Sequence, residues 1–173
     1  MRLCALSVDL DEIPNYFAIH GLDPAAPEHQ AGATAVYDVA VDRLLELSRD
    51  ASVPLTLFTI GADMKRPEAA RKIFEAHAAG HEIANHTLDH RYDLTRLGRA
   101  GIEAQIAGGA RAIEAVTGEA PRGFRAPGYT ITDAVFDVLM DLDVAYDSSV
   151  FPCPAYFAAK VGSIGAYRAR GRE

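Results

Sequence analysis

Residues 80–90 read GHEIANHTLDH and hold three of the six histidines in the chain. Gly80 reads as the C-terminal stop of a helix that opens at Pro67–Glu68. HEIAN (81–85) reads as a short strand, and HTLDH (86–90) sets two imidazoles four residues apart at its end. A helix, a strand and then a polar cluster is the order of a βα unit, in which ligands gather past the C-terminal ends of the strands.

The same alternation extends in both directions. LCALSV (3–8) is a β-type run closed by the acidic DLDE, and PLTLFTI (54–60) is a second strand stopped by Gly61. Residues 122–125 and VAY (144–146) supply two more. Between them, Val36, Val39, Ala40, Leu44 and Leu47 recur at helical spacing, with Thr34 as the N-cap. A long helix runs through Ile102, Ile106, Ile113 and Val116 to Gly118, with Gly108 and Gly109 weakening its middle. A last helix spans about Asp133 to Leu142, and Pro14 to Gly32 reads as a loop. Strands and helices in strict alternation predict an α/β fold with a largely parallel sheet. At 173 residues, without repeat or linker, the chain (1–173) is expected to form a single domain.

Composition narrows the function. A net charge of −7 argues against nucleic acid or an anionic membrane surface as partner. No apolar run reaches the ~18 residues needed to span a bilayer. Asp9, Asp11 and Glu12 interrupt the N-terminus before a signal peptide could form. Cys4 and Cys153 lie too far apart to suggest a disulfide scaffold, and Cys4 reads as a buried inert thiol. A reducing, cytoplasmic location is the expectation.

Three strand ends carry candidate chemistry. In VDLDE, Asp9 and Asp11 share a side if the strand persists, with Ser7 below them and Leu6, Val8 and Leu10 on the other face. Alone, the pair reads equally as a solvated or capping turn. In HTLDH, a helical turn would bring His86 and His90 to one face, although such histidines are also common on surfaces and in cores. Two imidazoles and one carboxylate form a ligand set for Zn²⁺ with a position left open, and Asp11 can supply the carboxylate, freeing Asp9 to act as a base. His81 reads as structural; His20, His29 and His77 read as surface residues. In FRAPGY, Arg125 can hold a carboxylate in place, Pro127 stiffens the loop, and the Gly128 amide can face a bound oxygen, or the segment is an ordinary turn.

SVDLDE, GHEIANHTLDH, FRAPGY and YDSSV, in that order, resemble the polysaccharide deacetylases, the NodB-homology carbohydrate esterases, from Ser7 to about Phe151. The resemblance implies a deformed (β/α) barrel, incomplete at the C-terminus of this chain. It implies Asp9 as catalytic base, a divalent metal, zinc by first choice, on Asp11, His86 and His90, and Arg125 orienting the base. An oxyanion-binding amide falls on Gly128 or Tyr129, and Asp147 supports the arginine. The sequence departs from the family pattern twice. The family's TFDDG is here SVDLDE, with Leu10 between the carboxylates, as in the intracellular branch that includes peptidoglycan deacetylase-like proteins and hydrolases of cyclic amides such as allantoin. The histidine of the final LxH motif, a general acid, has no counterpart after Asp147.

The resulting expectation is a metal-dependent hydrolase of C–N amide bonds that removes acetyl groups from an N-acetylated sugar. A cyclic-amide hydrolase and a non-catalytic binding module are the alternatives. Relatives suggest a homo-oligomer by analogy.

Overall fold

The computed structural model of the chain describes residues 5–162 apart from 20, 21, 24, 152, 157 and 160. Leu3, Cys4, His20 and the closing GAYRARGRE therefore lie outside the described residues, as do the expectations placed on them. The elements are β1 (Leu6–Asp9), α1 (Ile13–Ile19), α2 (Val41–Ala51), β2 (Leu55–Thr59), α3 (Pro67–Ala78), β3 (Glu82–Asn85), α4 (Arg99–Thr117), β4 (Gly123–Phe124), α5 (Asp133–Asp141) and β5 (Tyr146–Asp147). A single π-helical turn, Val36–Ala40, leads into α2.

The five strands form one parallel sheet in the order β1-β2-β3-β4-β5. Every strand lies beside its sequence neighbour with a helical crossover between them, the parallel sheet that the alternation predicts, and it forms an arc of the (β/α) barrel that the resemblance implies. Period-two alternation separates its two faces. On the helix-covered face, Leu55 and Leu57 of β2 and Ile83 of β3 pack with Tyr37, Val41, Ile73 and Ile113. A second cluster joins Ile102 and Ile106 of α4 to Phe124, Val135, Val138 and Leu139. Each such side chain, fully buried, contributes about 1.5–3 kcal/mol by leaving water. The opposite face is polar: Thr56 Oγ1 donates to Glu82 Oε2 at 2.8 Å, and Ser7 accepts from Arg125 at 2.9 Å.

Several local expectations change. Residues 14–19, read as loop, belong to α1; Pro14 sits in its first turn, where a missing N–H costs nothing, and Asn15 N–H closes that turn on Glu12 O. Leu6, assigned to the packed row of β1, is 46% exposed because β1 is an edge strand paired only with β2. Strand β5 begins at Tyr146 rather than Val144, whose N–H is still bonded to Leu139 O at the end of α5. His29 stacks on Phe17 with ring centroids 4.0 Å apart and donates from Nδ1 to Asp23 O, so it is more than a surface residue. His81 is structural as read, its Nδ1 accepting the Leu55 N–H. Gly118 ends α4 at φ 79°. No helix among the described residues is long and apolar enough to cross a membrane.

Behind β1, a polar cluster joins the DLDE turn to the next strand end. Glu12 accepts from Val36 N–H and pairs with Arg66 Nη1 at 2.9 Å, while the Arg66 guanidinium lies over the Tyr37 ring. Burial pushes the Asp63 carboxyl up to about 6; Arg66 opposes the shift and Glu12 adds to it. A folded-state pKa above the unfolded 3.8 means that the stability from neutral Asp63 is present below about pH 4 and lost as pH rises through about 6. Asp63→Asn should therefore be the more stable protein near neutral pH, by on the order of 1–2 kcal/mol after allowance for partial exposure. Urea midpoints of the two proteins should converge as the pH falls toward 4, and parallel curves would contradict this.

Candidate active site

The two imidazoles of HTLDH meet without a helix. Strand β3 ends at Asn85, and the chain then turns through Thr87 at φ 69° and His90 at φ 53°, both left-handed. The turn is held from within: Thr87 N–H donates to Asn85 Oδ1 at 3.0 Å, and His90 N–H to Thr87 Oγ1 at 3.1 Å. This brings the rings of His86 and His90 to 4.9 Å between centroids. The helical turn inferred from the i, i+4 spacing is absent; two strained loop residues achieve the same convergence.

Asp11 completes the group. Its Oδ1 lies 3.4 Å from His86 Nε2 and 3.1 Å from His90 Nε2. The two histidines are 1% and 4% exposed, and the three ligand atoms lie within 4.8 Å of one another. Yet Asp11 Oδ1, His86 Nε2 and His90 Nε2 are all buried without a hydrogen-bond partner among the described residues. Three buried acceptor-capable atoms facing one another fit a cation. Burial would raise the Asp11 carboxyl, but the two imidazoles against it outweigh that and hold it well below the ordinary carboxylate range. The other nitrogen of His86 is fixed: Nδ1 lies 2.7 Å from Arg125 O, and a carbonyl only accepts, so Nδ1 carries a hydrogen and Nε2 is the nitrogen turned to Asp11 and, in the neutral ring, to an ion.

Arg125 therefore serves the site twice. Its carbonyl sets His86, and its side chain, 7% exposed as a residue, sets Asp9: Nη1 donates to Asp9 Oδ1 at 2.5 Å. Nη2 donates to Ser7 Oγ at 2.9 Å and Ser148 Oγ at 2.7 Å, and Nε to Ser148 O at 3.2 Å. The guanidinium lies 3.9 Å from the Phe58 ring centroid. A buried cation with four of its five N–H donors directed is rigid, and it fixes where Asp9 points.

Asp147 lies in β5 and hydrogen-bonds Ser149, accepting from its Oγ at 2.6 Å and its N–H at 2.9 Å. Ser149 Oγ in turn accepts the Ala126 N–H at 2.8 Å. Its support thus reaches the arginine loop by way of Ser149. Beyond Pro127, Gly128 and Tyr129 both have positive φ, 62° and 58°, and the Tyr129 amide is taken by Ala126 O. Of the two amides considered from the sequence, that of Tyr129 is therefore engaged within the loop.

Ser7, Ser148 and Ser149 were not singled out from the sequence, where a lone serine carries no signal. Nor were the tyrosines around the mouth. Burial raises the hydroxyls of Tyr16, Tyr92, Tyr129 and Tyr156, and the next contribution comes from the charge of Asp11 at Tyr16 and Tyr92 and of Asp9 at Tyr129 and Tyr156. Tyr129 also stacks on Phe151 at 5.1 Å, with Tyr156 edge-on to both.

Residues 34–146 match the family model for polysaccharide deacetylase. The chain belongs to the polysaccharide deacetylase family. The matched segment contains His86, His90 and Arg125 but not Asp9 or Asp11, which parallel pairing of β1 with β2 brings to the site. A chitooligosaccharide deacetylase from Sinorhizobium fredii is 38% identical over 111 residues, 58% of this chain and 50% of that protein. A peptidoglycan deacetylase from Helicobacter pylori is 26% identical over 149 residues, 86% of this chain and 49% of that protein. The crystal structure of a Mycobacterium smegmatis protein assigned to the polysaccharide deacetylases superposes with a TM-score of 0.74 at 27% identity. The superposition covers 85% of this chain and 50% of that one. The chain thus spans about half the length of each of these relatives.

Proposed function

We propose that the protein is a metal-dependent hydrolase that removes the acetyl group from an N-acetylated sugar unit. The observation that carries this reading is the pair of assemblies at the strand ends: the convergent Asp11, His86 and His90, and Asp9 held by Arg125. A divalent ion on the first, zinc by the preference of a two-imidazole, one-carboxylate set, would supply Lewis acidity toward an amide carbonyl and lower the pKa of a water.

The chain's own residues do the rest. Asp9, aimed by Arg125, takes the proton of the attacking water. The Gly128 amide donates to the oxyanion that forms as water adds to the carbonyl carbon. The C–N bond then breaks with a proton delivered to the amine, and among the groups assigned here Asp9 is the one that carries one. Tyr16, Tyr92, Tyr129 and Tyr156 supply aromatic faces and neutral hydroxyl donors around the mouth, which suits a pyranose with its apolar ring face and polar rim.

The test offers the metal-loaded chain an N-acetylglucosamine oligomer and, separately, allantoin, and analyses the products. Acetate release from the oligomer is expected. Opening of allantoin without acetate release would replace this reading by a cyclic-amide hydrolase, and saturable oligomer binding without turnover by a binding module.

A further inference from the structure

The ligand loop Thr87–Asp89 is fastened at every residue, yet none of the fastenings touches an imidazole. Leu88 N–H donates to Gln105 O at 2.9 Å. The Gln105 side chain grips Asp89 at both ends, its Oε1 accepting Asp89 N–H at 3.0 Å and its Nε2 donating to Asp89 Oδ2 at 2.7 Å. One residue along α4, Ile106 O accepts from Asn85 Nδ2 at 2.8 Å, while Asn85 Oδ1 holds Thr87 N–H. From the other side, Gly61 N–H donates to Thr87 O at 2.9 Å and Ala62 N–H to Leu88 O at 2.7 Å.

Gly109 makes room for this. A β-carbon there would lie 2.3 Å from Asn85 Oδ1, 2.8 Å from Thr87 C and 2.9 Å from Thr87 O, all rigid parts of the loop. At Gly108 the clash is with the flexible end of Leu88, at 2.9 Å. The glycines that weaken α4 as a helix thus let it approach the loop closely.

We infer that Asn85, Gln105 and Gly109 are positioning residues that set the His86–His90 separation before any ion arrives. The inference rests on the reading of Asp11, His86 and His90 as a metal centre. A loop with two left-handed residues is strained, and its two internal bonds are few; here α4 supplies the further template that a helical H-x-x-x-H motif carries internally.

The test titrates Zn²⁺ into the full chain against a chromophoric chelator, for the parent, Gln105→Ala, Gly109→Ala and Gly108→Ala. Thermal melts of the metal-free proteins and Co²⁺ absorption spectra accompany each titration. Gln105→Ala should bind Zn²⁺ at least about 10-fold more weakly and shift the Co²⁺ spectrum, as loss of an outer-shell partner does. Gly109→Ala should lose more. Gly108→Ala should bind as the parent does, although alanine favours the helix at both glycine positions. If Gly109→Ala does not fold, Gln105→Ala decides. Parent-like affinity and spectrum in Gln105→Ala, whatever its melting temperature, would make the contacts merely structural. A parent that binds no Zn²⁺ would overturn the metal-centre reading and the positioning role with it.

Discussion

The His86→Ala variant is expected to lose its divalent metal, with affinity down by more than about 100-fold, since even partners outside the ligand shell are worth about 10–100-fold. The change removes a ligand whose lone pair is aimed by the Nδ1–H to Arg125 O bond, and it leaves Asp11 and His90 with one vertex missing. It also strips Arg125 O of its partner in a buried place, which costs about 1–3 kcal/mol. Elemental analysis should therefore be read beside a melting curve. Asp11→Asn, which keeps the shape and removes the charge, should lose metal with a smaller change in stability. About one equivalent of metal in the parent and little in both variants is the expected result. Metal retained at one equivalent in a folded His86→Ala protein would show that the ion sits elsewhere.

The second large effect is on the rate. Asp9→Asn should lower kcat for acetate release by about 10²–10⁴, the range for removing a positioned general base. Metal content should not change, because Asp9 is outside the ligand group. The substitution also weakens the bond to a buried guanidinium, and charge-assisted bonds contribute about 1.5–3 kcal/mol. Some loss of stability is therefore expected. An Asp9 that served only to anchor Arg125 would show a rate loss that disappears well below the melting temperature. A base would show the same loss at every temperature at which the protein is folded. Unchanged kcat in a folded, metal-loaded Asp9→Asn protein would exclude it as the base.

The residues that were legible in advance are those whose signal is local. PLTLFTI is a run of strand-forming residues stopped by Gly61, and Pro67 and Gly118 bound their helices for reasons contained in one or two residues. Asp9 and Asp11 lie on one side of Leu10, which is buried, as alternation requires. Misreadings came where one residue has two uses. Pro14 opens a loop or the first turn of a helix, and here packing places it in α1. Gly108 and Gly109 read as helix weakeners because nothing in α4 itself announces that the His86–His90 loop will lie against them.

By itself the sequence determined the alternating α/β architecture, the parallel sheet and the strand ends at which polar residues collect. These follow from periodicity and from the backbone limits of proline and glycine, which act over a few residues. Only the tertiary structure decided that Arg125 turns its carbonyl to His86 and its guanidinium to Asp9, that Ser7 and Ser148 also accept from it, and that Asp147 is bonded to Ser149. It also decided that α4 lies against the histidine loop and hydrogen-bonds it. The Arg125 contacts join residues far apart in the chain, up to 118 positions, as Arg125 and Ser7 are. A hydrogen bond depends on placement to within a few tenths of an ångström, which no local pattern of residue types encodes.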